Sequence, residues 1–277
     1  MLIADYPQQE PPSAVGLAYG EACATRSAAV TFDELRYGDN PYQSIAIYRP
    51  EKPNGILFGF SHGGGWTGGY KEWMGFMAPV LNASGITFAS IGYRLAPQHL
   101  FPTGVEDIAQ AIALLSHRCS DWGCDPRSFF LGGHSAGGHY AALLAVTRDW
   151  QKPLGLDNTV IRGCLPISGV YRFGDGSGLS MRPRFLGPEG NGMDIAASPV
   201  LRIDGTPPPF LMAHGDRDFP HLITQAEEME RALETAGGDV TRLVLRDADH
   251  FQASLAAGDD TALWAPTAIG WMKERAA

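Results

Sequence analysis

The sequence predicts an α/β fold, in which helices flank both faces of one mostly parallel central sheet and a small cap covers it. Two observations indicate this fold. Short apolar runs alternate along the chain with segments that have the apolar spacing of helices. Most of these runs are continuously apolar, which is typical of parallel strands buried on both faces. No repeat or linker divides the 277 residues, so we expect a single domain, 1–277.

The expected elements follow each other regularly. An N-terminal arm, 1–40, starts polar and proline-rich, and its residues 31–35 are expected to form a short helix or turn. Strands are predicted at 44–48, 55–60, 86–91, 128–131, 160–167, 210–213 and 240–245, and helices at 71–84, 104–118, 139–146, 220–236 and 259–274. Glycines and prolines interrupt the pattern between 170 and 206, which predicts a lid-like insertion.

Composition excludes several classes of function. The net charge of −9 argues against nucleic acid as a partner, because nucleic acid favours a basic surface. No segment has the 18 apolar residues of a membrane span, and the N-terminus lacks the pattern of a signal peptide, so we expect a cytoplasmic protein. The four cysteines lack metal-ligand spacing, which predicts free thiols and no metal site.

The segment Gly133-His134-Ser135-Ala136-Gly137 carries the strongest catalytic signal. It lies between a predicted strand and a predicted helix, and a serine with glycines two positions away on either side is the pattern of a nucleophile elbow. The glycines are needed because the turn is so tight that a Cβ would clash with the passing backbone. Ser135 is therefore the candidate nucleophile.

A serine hydroxyl needs a base within reach and an acid that orients the base. In an open α/β sheet such groups follow the carboxyl ends of strands. His250 follows the last predicted strand and is the candidate base. Two acids, Asp216 and Asp218, follow the strand at 210–213. We favour Asp218, since it lies further into the loop and can reach back towards the sheet, whereas Asp216 can cap the turn.

A loop of three glycines, Gly63-Gly64-Gly65, follows an earlier strand and lets backbone N–H groups approach a substrate. The N–H of Ala136, at the start of the helix after the serine, adds a donor for an oxyanion. Trp66 and His134 are assigned to the substrate pocket, although the His134 side chain is expected to point away from the serine. The arm and the insertion are expected to complete a small or aryl-sized pocket.

Three motifs together resemble the α/β-hydrolase fold, and specifically the hormone-sensitive-lipase-like esterases. They are His62-Gly63-Gly64-Gly65-Trp66, Tyr93-Arg94-Leu95-Ala96-Pro97 and Gly133-His134-Ser135-Ala136-Gly137. The resemblance implies that Gly64, Gly65 and Ala136 donate to the oxyanion. The group often has an acid where this chain has His134 and Phe or Tyr where it has Trp66, and these features are similar to kynurenine formamidases and small acetyl or feruloyl esterases.

The expected function is that of a carboxylesterase, which cleaves a small or aryl ester through an acyl-enzyme at Ser135 without a cofactor. The partner is then a small-molecule ester. An alternative keeps the same site but cleaves an amide, as an arylformamidase does. A third alternative is a non-catalytic ligand-binding protein of the same fold, but such proteins often lack one of the three catalytic residues, and candidates for all three are present here.

Overall fold

The computed structural model describes residues 3–179 and 181–277, and a single sheet lies at its centre. Its eight strands in this part of the chain are β1 Asp33–Arg36, β2 Ser44–Tyr48, β3 Gly55–Ser61, β4 Thr87–Ile91, β5 Cys124–His134, β6 Gly163–Ile167, β7 Phe210–Gly215 and β8 Val240–Leu245. Their spatial order is β1-β2-β4-β3-β5-β6-β7-β8. β2 pairs antiparallel with β1 and β4, and the other pairings are parallel. The prediction of a mostly parallel sheet is therefore confirmed.

Helices connect the strands. The α-helices of the described residues are α1 Ala14–Ser27, α2 Ala78–Ala83, α3 Thr103–Arg118, α4 Ala136–Val146, α5 Met193–Ala196, α6 Pro220–Thr235, α7 His250–Leu255 and α8 Trp264–Arg275. Short 3-10 helices cover Ile3–Asp5, Lys71–Met77, Cys119–Trp122, Lys152–Leu154, Pro199–Leu201 and Ala256–Gly258.

The central strand β3 shows how the core is divided between the two faces of the sheet. Successive residues of a strand point to opposite faces. Leu57 joins the apolar cluster that contains Ile112 of α3 and Leu143 of α4. Phe58 joins the cluster on the other face, where the centroid of its ring lies 6.4 Å from that of Trp264 in α8. Because both residues are buried, the strand has the continuously apolar sequence from which a covered sheet was predicted.

One expectation for the N-terminal arm is wrong, and one of its elements was not predicted. Residues 31–35 do not form a helix or turn, because Asp33–Arg36 is β1 and pairs with β2. Its side chains are mostly exposed, so no apolar alternation marks it in the sequence. The arm also contains the 14-residue helix α1, which buries only Tyr19, Gly20 and Cys23 and therefore has a weak apolar stripe.

The expected helix at 71–84 is present but changes type. Lys71–Met77 is a 3-10 helix, and the α-helical part begins only at Ala78. Pro79 has no N–H to donate to the carbonyl four residues earlier, so the α-helical pattern starts beside it. Helix α7 was not anticipated: Asp249 caps its N-terminus, and its carboxylate accepts the N–H groups of Phe251 and Gln252.

The segment 170–206 lies between β6 and β7, and its described residues, 170–179 and 181–206, form turns, α5 and a short 3-10 helix. Gln225 of α6 holds its first part. The Gln225 Oε1 accepts the N–H groups of Tyr171 and Arg172, at 2.7 and 2.9 Å, and its Nε2 donates to the carbonyl of Ser177 at 2.8 Å. This segment is therefore bonded to the domain, although its sequence shows no regular pattern.

Two further observations concern helices and cysteines. The helices of residues 3–179 and 181–277 are all too short or too polar to cross a membrane. The four cysteines are free and buried, in agreement with the expectation of free thiols.

Candidate active site

Ser135 is the single residue between β5 and α4, and its backbone is held in an unusual conformation. Its φ of 52° and ψ of −114° cost a non-glycine residue about 1–3 kcal/mol. Its N–H donates to the Ile167 carbonyl, and its carbonyl accepts the His139 N–H, both at 2.9 Å. The half-buried side chain thus lies at the carboxyl end of the sheet, on a backbone fixed by β6 and α4.

The flanking glycines allow this turn. A Cβ on Gly133 would overlap the backbone of Gly137. A Cβ on Gly137 would in turn overlap the carbonyl of Ser61 at the end of β3. Helix α4 can therefore approach β3 and β5 only because neither residue has a side chain.

The structure brings Ser135, His250 and Asp218 into hydrogen-bond contact. The His250 Nε2 lies 3.0 Å from the Ser135 Oγ, and the His250 Nδ1 lies 2.8 Å from the Asp218 Oδ1. His250 is the first residue of α7, and Asp218 lies in the turn after β7. Of the two acids that compete in the sequence, Asp218 is 4% exposed and contacts the imidazole, whereas Asp216 is exposed to solvent.

Ser168 is a site residue that the sequence analysis missed. It directly follows β6, and its hydroxyl donates a short hydrogen bond to the Asp218 Oδ2. Burial raises the pKa of Asp218, but hydrogen bonds from His250, Ser168 and the Phe219 N–H outweigh it, so the pKa lies below its usual value. Asp218 is thus a carboxylate at neutral pH. The position of Ser168 after a central strand is the signal that could have found it.

The backbone N–H groups of Gly64, Gly65 and Ala136 have no acceptor among the described residues. The glycine loop lies against the serine, since a Cβ on Gly63 would come within 3.2 Å of the Ser135 Cβ. Gly64 has a φ of 120°, and a Cβ there would overlap the carbonyl of Gly68. Ala136 is the first residue of α4, so its N–H has no intrahelical partner and lies at the positive end of the helix dipole. These groups are suited to bind a negatively charged oxygen.

His62 braces the glycine loop from its buried side. Its Nδ1–H donates to the Gly63 carbonyl at 2.6 Å, and the Tyr93 hydroxyl donates to the His62 carbonyl at 2.9 Å. The two rings stack with centroids 4.4 Å apart. Burial lowers the pKa of His62 to about 4, so the ring is neutral near pH 7.

Trp66 is buried behind the glycine loop rather than exposed towards a substrate. It is 3% exposed, and its ring stacks on that of Phe185 in the 170–206 segment, with ring centroids 4.5 Å apart. Its Nε1–H donates to the His139 Nδ1 at 3.1 Å, and the His139 Nε2–H donates to the Ala197 carbonyl at 2.7 Å. Burial lowers the pKa of His139 to about 3. Trp66 therefore links the loop to α4 and to the insertion.

His134, which precedes the serine, is 1% exposed. Its Nε2 lies 3.0 Å from the carbonyl oxygen of His250, and the centroids of the two imidazole rings are 4.8 Å apart. Burial, together with the nearby His250, lowers the pKa of His134 to about 3. The side chain supports the segment that carries His250 and has almost no surface to offer a substrate.

A cleft of about 270 Å³ opens beside His250. The exposed side chains of Val15, Phe219 and Arg217 line it, together with Phe251. An apolar groove of about 520 Å³ lies elsewhere, between α3 and the end of α4, and includes none of the candidate site residues. The 270 Å³ cleft is therefore the one that the candidate base, His250, lines.

A family with the alpha/beta hydrolase fold matches residues 58–253. The chain belongs to this α/β-hydrolase family, and the resemblance inferred from the motifs is confirmed. Esterase LipC of Mycobacterium tuberculosis is 32% identical over 239 residues, which are 77% of this chain and 58% of LipC. Kynurenine formamidase of Danio rerio is 26% identical over 242 residues, which are 82% of this chain and 76% of that protein. The chain thus spans little more than half the length of LipC.

Solved structures show the same fold. The carboxylesterase EstE1 from a metagenomic library superposes with a TM-score of 0.74 at 21% identity, over 96% of each chain. An esterase of Pyrobaculum calidifontis superposes with a TM-score of 0.76 at 21% identity, over 94% of this chain and 93% of that chain. At these identities the likeness concerns the fold alone.

Proposed function

We propose that the chain is a carboxylesterase that cleaves small or aryl carboxylic esters through an acyl-enzyme at Ser135. The observation that carries this proposal is the His250 ring, whose nitrogens lie 3.0 Å from the Ser135 Oγ and 2.8 Å from the Asp218 Oδ1. A carboxylate at Nδ1 keeps the proton on that nitrogen, and the lone pair of Nε2 is then directed at the serine hydroxyl.

Acylation follows from this arrangement. The His250 Nε2 takes the proton of the Ser135 hydroxyl as Oγ bonds to the ester carbonyl carbon. The N–H groups of Gly64, Gly65 and Ala136 stabilise the tetrahedral oxyanion, and one such donor contributes about 3 kcal/mol to the barrier reduction. The C–O bond to the alcohol then breaks, and the imidazolium returns its proton to the departing oxygen. Throughout this step the carboxylate stabilises the imidazolium.

Deacylation uses the same groups in reverse. The His250 Nε2 takes a proton from water as its oxygen bonds to the acyl carbon, and the oxyanion forms again at the three N–H groups. The bond from the acyl carbon to the Ser135 Oγ breaks, and Oγ regains its proton from Nε2. The products are the carboxylic acid and the free enzyme.

The similarity to LipC, an esterase, supports the ester as the bond that is cleaved. A second candidate is an arylformamidase. It is favoured by the relative from Danio rerio, a kynurenine formamidase, to which this chain is similar over 76% of that protein's length. Both reactions attack a carbonyl carbon and need the same base and oxyanion donors, so the geometry around Ser135 suits either one.

The test of the nucleophile is Ser135→Ala, assayed with p-nitrophenyl acetate. We expect kcat to fall by about 10⁴-fold or more, while the circular dichroism spectrum stays unchanged. Ser120→Ala, at an exposed serine in the 3-10 helix Cys119–Trp122, is the matched control and should keep wild-type activity. A Ser135→Ala protein that still turns over the ester would refute the assignment.

The bond preference is tested by comparing kcat/KM for aryl esters of graded acyl length with kcat/KM for an N-formyl arylamine. We expect the short esters to be the better substrates. A higher kcat/KM on the formamide would assign the chain to the amidases instead.

A further inference from the structure

Tyr19 of helix α1 contacts the segment that carries His250. This residue is 5% exposed. Its hydroxyl lies 2.8 Å from the Ser254 Oγ of α7 and 3.4 Å from the His134 Nδ1, the latter a long hydrogen bond. Its ring also packs on Phe251, with centroids 5.0 Å apart. A single tyrosine therefore contacts the residue before Ser135 and two residues of the helix that His250 begins.

The hydrogen bonds around His134 can be assigned a direction. The His250 carbonyl can only accept, so the His134 Nε2 at 3.0 Å carries the proton. Since burial keeps the imidazole neutral, its Nδ1 is then an acceptor. Among the described residues the Tyr19 hydroxyl is the donor that reaches this nitrogen, and the Ser254 hydroxyl can donate to the Tyr19 oxygen. Three successive hydrogen bonds then run from the Ser254 hydroxyl through Tyr19 and His134 to the His250 carbonyl, and each has one donor and one acceptor.

The helix that presents Tyr19 is itself closely packed. Gly20 lies against Trp73, where a Cβ would come within 2.7 Å of the indole ring. The Tyr19 and Trp73 rings meet edge to face at 6.0 Å. The tyrosine therefore approaches the site from a fixed backbone and not from a loop.

We propose that Tyr19 is a positioning residue, which holds the His250 imidazole at Ser135 by hydrogen bonding to His134 and Ser254. The inference rests on the proposed function, in which the His250 Nε2 removes the Ser135 proton. Proton transfer at 3.0 Å depends steeply on geometry, and a displacement of about 1 Å can cost about 10²-fold in rate. The N-terminal helix is then part of the catalytic apparatus, although it supplies no group that touches the reacting atoms.

Tyr19→Phe tests the proposal, because it removes the hydroxyl and keeps the packed ring. We expect kcat on p-nitrophenyl acetate to fall by about 3- to 10-fold, the effect of one lost neutral hydrogen bond, with KM unchanged. Tyr37→Phe is the matched control, since it also removes a tyrosine hydroxyl that donates a hydrogen bond, in this case to the Gly92 carbonyl at 2.6 Å. It should lower the melting temperature by a similar amount and leave kcat unchanged.

The His134 variants test the second link of the chain. His134→Gln keeps an N–H donor near the position of Nε2, and we expect it to retain most of the wild-type kcat. His134→Leu removes the donor, and we expect kcat to fall by at least as much as in Tyr19→Phe. Equal activities of the Gln and Leu variants would contradict a hydrogen-bonding role.

Two results would overturn the inference: an unchanged kcat in Tyr19→Phe, or an equal fall of kcat in Tyr37→Phe. Ser135→Ala is measured in the same assay. Residual turnover in that variant refutes the proposed function itself. An inactive Ser135→Ala beside an unaffected Tyr19→Phe refutes only the role of Tyr19.

Discussion

Replacing Asp218 with asparagine should separate the charge of this side chain from its role in orienting His250. The Asp218 Oδ1 accepts both the His250 Nδ1–H at 2.8 Å and the Phe219 N–H at 2.7 Å, while Oδ2 accepts the Ser168 hydroxyl. The Phe219 N–H can only donate, so the amide oxygen of asparagine should occupy the Oδ1 position. The amide NH₂ then faces Ser168, whose hydroxyl can turn and accept.

The magnitude follows from what this variant retains. With the amide oxygen facing Nδ1, His250 keeps its proton on that nitrogen, and only the negative charge is lost. A hydrogen bond to a charged group contributes about 1.5–3 kcal/mol, compared with about 1 kcal/mol for a neutral one. The difference is about 0.5–2 kcal/mol, and at 1.36 kcal/mol for each factor of ten we expect kcat to fall by about 2- to 30-fold. An amide turned the other way would invert the tautomer and cost about 10⁴-fold.

The assay is steady-state hydrolysis of p-nitrophenyl acetate by Asp218→Asn, together with ¹⁵N NMR of the His250 ring to identify the protonated nitrogen. Asp216→Asn, at the exposed acid two residues earlier, is the control and should keep full activity. A loss of about 10⁴-fold, or a proton found on Nε2, would refute the reasoning from Phe219 and Ser168.

Two further predictions concern the glycine loop and the buried histidines. Gly64→Ala should abolish activity because its Cβ would overlap the Gly68 carbonyl. The Cβ of Gly65→Ala would meet no atom within 4 Å, so this variant should lose only about 1–2 kcal/mol of unfolding free energy, because its φ of 59° disfavours a side chain. Burial keeps the folded-state pKa of His139 at about 3, below the unfolded value of about 6.5. The stability that its neutral ring contributes is therefore present above about pH 6.5 and is lost towards pH 3. The free energy of unfolding falls by about 1.4 kcal/mol per pH unit. Urea unfolding between pH 7 and pH 4.5 should therefore show that this free energy depends less steeply on pH in His139→Gln than in the wild type. His117→Gln, at an exposed histidine, is the control and should not change the slope.

Each of these has a result that contradicts it. Equal esterase activities of the Gly64→Ala and Gly65→Ala proteins would mean that the overlap with Gly68 does not constrain the loop. Parallel pH slopes for the wild type and His139→Gln would mean that the unfolded chain gains no extra proton at residue 139.

The strands were predictable because most of them are buried on both faces, which makes their sequences continuously apolar. The elements that were missed lack this signal. β1 is a four-residue edge strand with exposed side chains, and it exists because it pairs with β2. Helix α1 buries little of its surface. Helix α7 has only six residues, and its start is marked by the Asp249 cap rather than by periodicity.

For the candidate site, local sequence was sufficient wherever backbone sterics need glycine at a particular spacing. The glycines around Ser135 and before Trp66 are of this kind, because backbone overlap forbids a Cβ at Gly133, Gly137 and Gly64. Ser168 and Tyr19 have no such signature. A serine after a strand and a tyrosine in a helix are common, and their importance comes from contacts 50 to 235 residues away along the chain.

The sequence by itself determined the class of fold. It also predicted a nucleophile at the Ser135 turn, a glycine loop for the oxyanion and a choice of acids and bases at the ends of successive strands. The tertiary structure decided which acid meets the base, that Trp66 and His134 are buried supports, and that an N-terminal helix reaches the segment of His250. The physical reason is that local patterns record backbone sterics and burial. Hydrogen bonds between distant segments depend on how the packed sheet and helices bring those segments together.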